Sequence, residues 1–245
     1  MLPESQTPDT LQPSSPDRRH LLAPLWHTAV VIFVLLGASL GGARSTHPLA
    51  AHSRLPQYLW TMSWEWLLSG FVVFGVRRRM SLRELIGGRW NSVEAVLRDV
   101  LFAAGFWVVA VAVLAIGAKL LHLDNAGGLD NMRRQLGFLV PQTSLELVTW
   151  CALSTTAGIC EEVIFRGYLQ RQFAAITHSV LVGVLLSAVV FGGAHGYEGG
   201  PRMLLIGVYG LMFGLLAWWR KSLRPGMIAH AWHDAFTGVV LRLLK

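Results

Sequence analysis

Two adjacent carboxylates, Glu161 and Glu162, stand in the segment GICEEVIFRGYLQR, and Arg166 follows the second by four residues. On a helix of 3.6 residues per turn, residues i and i+4 share a face, whereas neighbours diverge by about 100°. This spacing pairs Glu162 with Arg166 and leaves Glu161 off that stripe, available as a general base. The plain structural alternative is an interfacial Glu–Arg pair closing a helix end. Further along, His195 ends the apolar segment FGGAH, one turn after Phe191. The segment HAWHD then puts His230 and Asp234 on one helical face. A carboxylate beside an imidazole fixes its tautomer and strengthens it as a base. His233 lies near the same face. A single histidine in a membrane segment is, taken alone, most simply a packed, hydrogen-bonded residue.

Other chemistries lack their residues. There is no HExxH zinc motif, no GxSxG nucleophile elbow and no Gly-rich phosphate loop. Cys151 and Cys160 are nine positions apart on one apolar segment, about 13 Å along a helix, too far to bridge.

The elements that must position these residues follow from composition. Of 245 residues, 53% are hydrophobic and only 14% charged, against roughly 25% charged in an average soluble domain. Too little charge remains to coat a soluble surface. Ten Trp and eleven Phe suit a chain that meets a membrane interface. The net charge of +7, from 21 Lys+Arg and 14 Asp+Glu, reads as a topology signal and not as nucleic-acid binding.

Apolar stretches near spanning length run over about 21–43, 57–76, 97–121, 143–160, 176–194, 203–219 and 226–244. The expected fold class is all-α, a polytopic membrane helix bundle of about seven transmembrane helices. Residues 1–20 hold four prolines and read as a disordered tail. A cleaved signal ending near Gly42-Ala43 is the alternative to an uncleaved first span. The loop RRRMSLRELIGGRWNSVEAVLR carries Arg77, Arg78, Arg79, Arg83, Arg89 and Arg98. By the positive-inside rule it is cytoplasmic, which also puts Arg18/Arg19, Arg220 and Arg224, and hence the N-terminus, inside. Arg133 and Arg134 fall outside and disagree. Leu82, Leu85 and Ile86 give this loop one apolar face, fit for a short surface helix.

Helical geometry also suggests how the acids and histidines meet. Residue 178 is the midpoint between Glu161 and His195. A hairpin turning at Thr177-His178-Ser179 brings those two to one depth. Gly183, Gly192 and Gly193 permit close helix contact. His195 and His230 fit less simply, because alternation of spans separates their depths by about 10–15 Å. Gly200-Pro201 and Pro225-Gly226 are candidate break points that would close the gap.

EExxxR, FxxxH and HxxxD, in this order on three successive apolar segments, resemble the CAAX prenyl endopeptidase and bacteriocin-processing family (CPBP, also called Abi) of intramembrane proteases. The resemblance covers about 144–240 and divides the chain into a tail (1–20), an N-terminal transmembrane region (21–143) and a catalytic membrane domain (144–240). It implies hydrolysis of a peptide bond in a membrane-associated substrate of the CAAX-like, prenylated or bacteriocin type. It also implies that Glu161 activates water, with Glu162 and Arg166 supporting, Phe191 and His195 forming the second motif, and His230 and Asp234 the third. The expected partners are the lipid bilayer and a peptide or protein substrate. Members are often described as metalloproteases, and Glu161, His195 and His230 could supply an open zinc site. A metal-free glutamate mechanism is the equal alternative. Two other functions remain open from sequence: a membrane scaffold that keeps the motifs for packing, and a proton- or ion-coupled transporter.

Overall fold

The computed structural model describes residues 21–44, 53–123, 125, 127, 137 and 139–243. The expected tail 1–20 and the pair Arg133/Arg134 lie outside the described residues. The described chain is helical, with no strand among these residues. The elements are α1 (Leu25–Arg44), α2 (Leu55–Val76), a short α3 (Leu82–Ile86), α4 (Val93–Leu120), α5 (Ser144–Glu161), a π-helical segment (Glu162–Leu169), α6 (Gln170–Thr177), α7 (Val180–Ala194), a 3₁₀ turn (Gly196–Glu198), α8 (Gly200–Arg220) and α9 (Arg224–Leu243).

Among the described residues, four helices are long and apolar enough to cross a membrane: α2, α4, α8 and the continuous 34-residue rod Ser144–Thr177. Leu25–Gly41 and α7 are apolar but shorter. Large apolar side chains such as Phe33, Leu101, Ile116, Val189 and Trp219 point outward. A continuous apolar exterior of this kind is stable in lipid, not in water.

The fourth apolar run does not end its helix at Cys160, as the hydropathy pattern suggests. The helix continues to Thr177 because its polar residues find partners inside the protein. Glu162 pairs with Arg166, Gln170 Nε2 donates to Gly214 O at 3.1 Å, and Arg171 donates to Leu85 O at 3.0 Å. A satisfied polar stretch has no reason to leave the bundle. Correspondingly, the fifth helix begins at Val180 and not at Ile176. The turn falls at His178, which takes a left-handed conformation (φ 57°). Ser179 then caps α7, its hydroxyl accepting from Val182 N. Neither Gly-Pro pair breaks a span. Pro201 lies in the first turn of α8 and Pro225 in that of α9, where a missing N–H is harmless.

Two polar nodes fasten this frame. Gln172 on α6 accepts from Leu22 N (2.8 Å) and donates to Ala23 O (2.8 Å) and Thr28 Oγ1 (3.0 Å). The Tyr168 hydroxyl meets His27 Nδ1 and Thr28 Oγ1, each at 2.9 Å. Together these groups dock the start of α1 onto the long rod. On α4, buried Asp99 accepts from Trp90 Nε1 (2.8 Å) and pairs with Arg224 (3.1 Å) and Arg220 (3.6 Å). Beside it, Leu223 N donates to Ile86 O at 2.9 Å. The basic loop and the α8–α9 connection therefore lie on the same side. α3 forms within that loop as expected, with a Ser81–Glu84 capping box. Hydrogen bonds from the Ser81 backbone and hydroxyl hold the Glu84 carboxyl below its ordinary pKa. Leu85 is buried, and the six loop arginines stay exposed.

α5 packs on α9, and α7 packs on both α6 and α8. These contacts are backbone-close. A Cβ on Gly158 would lie 2.7 Å from Met227 O and 2.8 Å from Ala231 N, and one on Gly183 would lie 2.5 Å from Gln170 O. Backbone cannot yield as a flexible side chain can. Gly158→Ala should therefore destabilise the protein by about 1–3 kcal/mol through overpacking. A thermal midpoint in detergent equal to that of the native protein would refute this.

Candidate active site

The long rod carries the two acids in its middle. Glu161 is the last residue of α5 and Glu162 the first of the π segment, whose eight residues are all buried. A π turn closes i→i+5 bonds, is wider than an α turn and recurs at functional sites. Here it keeps Glu162 and Arg166 facing each other. Arg166 Nη1 lies 2.9 Å from Glu162 Oε1, and the two side chains are 1% and 0% exposed. Arg166 Nη2 also donates to Gly210 O of α8 at 3.2 Å. Its guanidinium lies over the rings of Phe191 (4.3 Å) and Phe213 (5.0 Å). Cation–π contact and ion pairing together compensate the removal of this charge from water.

The same Glu162 oxygen holds the third motif. His230 Nδ1 lies 3.2 Å from Glu162 Oε1, and since a carboxylate only accepts, Nδ1 donates. Nε2 of that ring faces two further carboxylates, Glu161 Oε2 at 3.6 Å and Asp234 Oδ2 at 3.7 Å. One buried imidazole thus gathers three acids, from α5, the π segment and α9. Glu161 keeps 17% of its side chain exposed, whereas Glu162 is closed off. The two neighbouring acids therefore occupy different environments.

His195 is the C-terminal cap of α7. Its Nδ1 lies 2.9 Å from Phe191 O, which fixes Nδ1 as the donor in the neutral ring. The Phe191 ring sits between the histidines, with its centroid 4.8 Å from that of His195 and 6.1 Å from that of His230. The depth conflict expected between these histidines is eased by the shortness of α7. Its 15 residues span about 22 Å, less than the roughly 30 Å hydrocarbon core, so His195 ends within the bundle.

A cavity of about 510 Å³ has Glu161, Phe191, His195, His230 and Asp234 in its wall. Glu162 and Arg166 stand outside that wall and brace it from behind. Sequence reasoning missed several of its neighbours. Glu65 lines the cavity from α2, and its Oε2 is buried without a hydrogen-bond partner among the described residues. It is the single acid in a 22-residue apolar helix, and that isolation was a legible signal. Tyr197 and Glu198 of the 3₁₀ turn, Tyr209 of α8 and His233 of α9 also line it. Burial raises the Glu198 carboxyl above its ordinary pKa, against the opposing pull of His195 and Arg202.

Glu161, His195 and His230, the expected zinc ligands, all lie in the wall of this cavity. Among the described residues, no three His, Cys, Asp or Glu side chains are grouped so as to hold a metal ion. Each imidazole is held through Nδ1, His230 by Glu162 and His195 by Phe191 O. This leaves Nε2 of each, facing Glu161 and Asp234 in His230 and free of a bond among the described residues in His195, as the side from which a metal would be ligated.

Residues 142–236 match the family described as Rce1-like, type II CAAX prenyl endopeptidase Rce1-like. The match spans the rod, α7, α8 and the part of α9 that bears His230 and Asp234, and it is consistent with a CPBP-family protein. The likeness is thus to CAAX-type intramembrane proteases, a class of membrane-embedded hydrolases, and with the apolar exterior it identifies an integral membrane protein. No curated protein and no solved structure matches the chain.

Proposed function

We propose that the protein is an intramembrane endopeptidase that hydrolyses a peptide bond of a membrane-associated substrate, with residues 144–240 as its catalytic membrane domain and 21–143 as a supporting transmembrane region. The observation that carries this reading is the division of labour between two adjacent acids. Glu161 opens on a cavity shared with His195, His230 and Asp234, while Glu162 is sealed against Arg166. A scaffold would need only the sealed pair and apolar packing.

In this mechanism Glu161 accepts a proton from water held between it and His195, and the resulting hydroxide adds to the scissile carbonyl carbon. The carbonyl π pair moves onto oxygen as an oxyanion. His230 acts in its protonated form, its Nδ1–H held by Glu162 and its Nε2–H oriented by Asp234, and donates from Nε2 to that oxygen. Collapse expels the amine, which takes the proton back from Glu161. No step requires a metal. The substrate class is the CAAX-like, prenylated or bacteriocin-type peptide that the family likeness suggests. Clustering of the arginine-rich loop with Arg220 and Arg224 on one side supports a cytoplasmic N-terminus for a seven-span chain.

The test compares membrane peptides in cells expressing the native protein with those in cells expressing Glu161→Gln. Full-length substrates should accumulate only with the variant. The purified native protein should cleave such a peptide as well after exhaustive dialysis against a chelator as before. Identical peptide profiles would defeat the hydrolase reading, and loss of cleavage on chelation that added zinc restores would defeat its metal-free form.

A further inference from the structure

The oxyanion site just described is short of donors. At position 234 the chain carries a carboxylate, which in its ionised form accepts and cannot donate. His230 alone would then face the developing negative charge, with two carboxylates near its Nε2. A further donor close to this ring is needed for the charge to be stabilised.

α8 supplies one. Tyr209 is 5% exposed and lines the same cavity. Its ring centroid lies 6.0 Å from that of His230 and 4.8 Å from that of His233. Its hydroxyl is buried, and no group among the described residues bonds to it. A buried phenol normally finds a partner, because leaving an O–H unpaired is unfavourable. The position is also held firmly. Arg166 of the first motif donates to the carbonyl of the next residue, Gly210, and Phe213 packs edge-on to the tyrosine ring at 4.6 Å. A rigid backbone thus carries an O–H that the resting protein does not use.

Resting on the hydrolase reading above, we infer that Tyr209 is a further catalytic residue, its phenol O–H donating a hydrogen bond to the oxyanion beside His230. The hydroxyl transfers no proton. It gains its partner only when negative charge forms on the carbonyl oxygen, so its contribution falls on the transition state and not on the bound substrate.

The test uses full-length purified protein and one cleavable membrane peptide. Tyr209→Phe keeps the ring and removes only the unpartnered hydroxyl. It should lower kcat by about 10²–10³-fold with KM unchanged, in line with loss of one oxyanion donor. Its thermal midpoint should equal or exceed the native value. Tyr209→Leu, which also removes the ring, should lose no more kcat than Tyr209→Phe. Adding Asp234→Asn to Tyr209→Phe introduces an amide donor and should recover about tenfold of the loss. Native kcat in Tyr209→Phe, or a loss seen only in Tyr209→Leu, would overturn the assignment while leaving the hydrolase intact. Failure of the hydrolase reading itself shows elsewhere, as equal cleavage by the native protein and Glu161→Gln.

Discussion

Glu161→Gln should reduce kcat by about 10²–10⁴-fold, the range expected when a positioned general base is removed. The amide has nearly the same shape but cannot take a proton from water. Folding should be almost untouched, because Glu161 contributes little to the frame. It is part-exposed, its Oε2 has no hydrogen-bond partner among the described residues, and its nearest ionic neighbour is His230 Nε2 at 3.6 Å. Single-turnover cleavage of a membrane peptide and a thermal melt in the same detergent give both numbers. Cleavage within a few-fold of native by a folded Glu161→Gln protein would remove Glu161 from the mechanism.

Arg166→Ala is the complementary case, in which stability is lost first. It leaves Glu162 charged at 0% exposure, and breaking one side of a buried pair costs about 3–5 kcal/mol. The contacts of the guanidinium to Glu162, to Gly210 O and to the faces of Phe191 and Phe213 disappear together. The double variant Glu162→Leu/Arg166→Met should regain most of that stability, since apolar residues of similar volume often replace a buried pair at no loss. It should nevertheless stay inactive. Glu162 Oε1 also holds His230 Nδ1, and nothing in the double variant orients that ring. A double variant as unstable as Arg166→Ala would contradict the account of the pair, and one that cleaves would contradict the role given to Glu162.

Helical spacing alone foretells the local features of this site. The Glu162–Arg166 pair, the approach of His230 to Asp234 and the hairpin turning at His178 all follow from i+4 neighbours and a midpoint. The rest depends on partners distant in sequence. Hydropathy ends the fourth helix near Cys160 because it treats polar residues as solvent-seeking, whereas Gln170 and Gln172 reach carbonyls on α8 and near α1. Glu65 and Tyr209 come from helices without a motif, and only the packing of α2 and α8 shows that they face the acids. The zinc expectation came from residue types. Ligand type does not reveal which nitrogen of each imidazole is held by the protein, Nδ1 in both, and which is left to face the cavity.

The π segment Glu162–Leu169 accommodates one residue more than a regular helix of the same rise would hold. Losing a single codon there would let the rod relax into ordinary α geometry with its far end nearly in place, whereas losing one just beyond, at Gln170 or Arg171, would turn everything further by about 100°. In the second case Glu161 would keep its place, while Gln172 would swing off the backbone of Leu22 and Ala23. Damage to the anchoring of the first helix would thus originate more than a hundred residues downstream, at a spot that touches neither end of the chain.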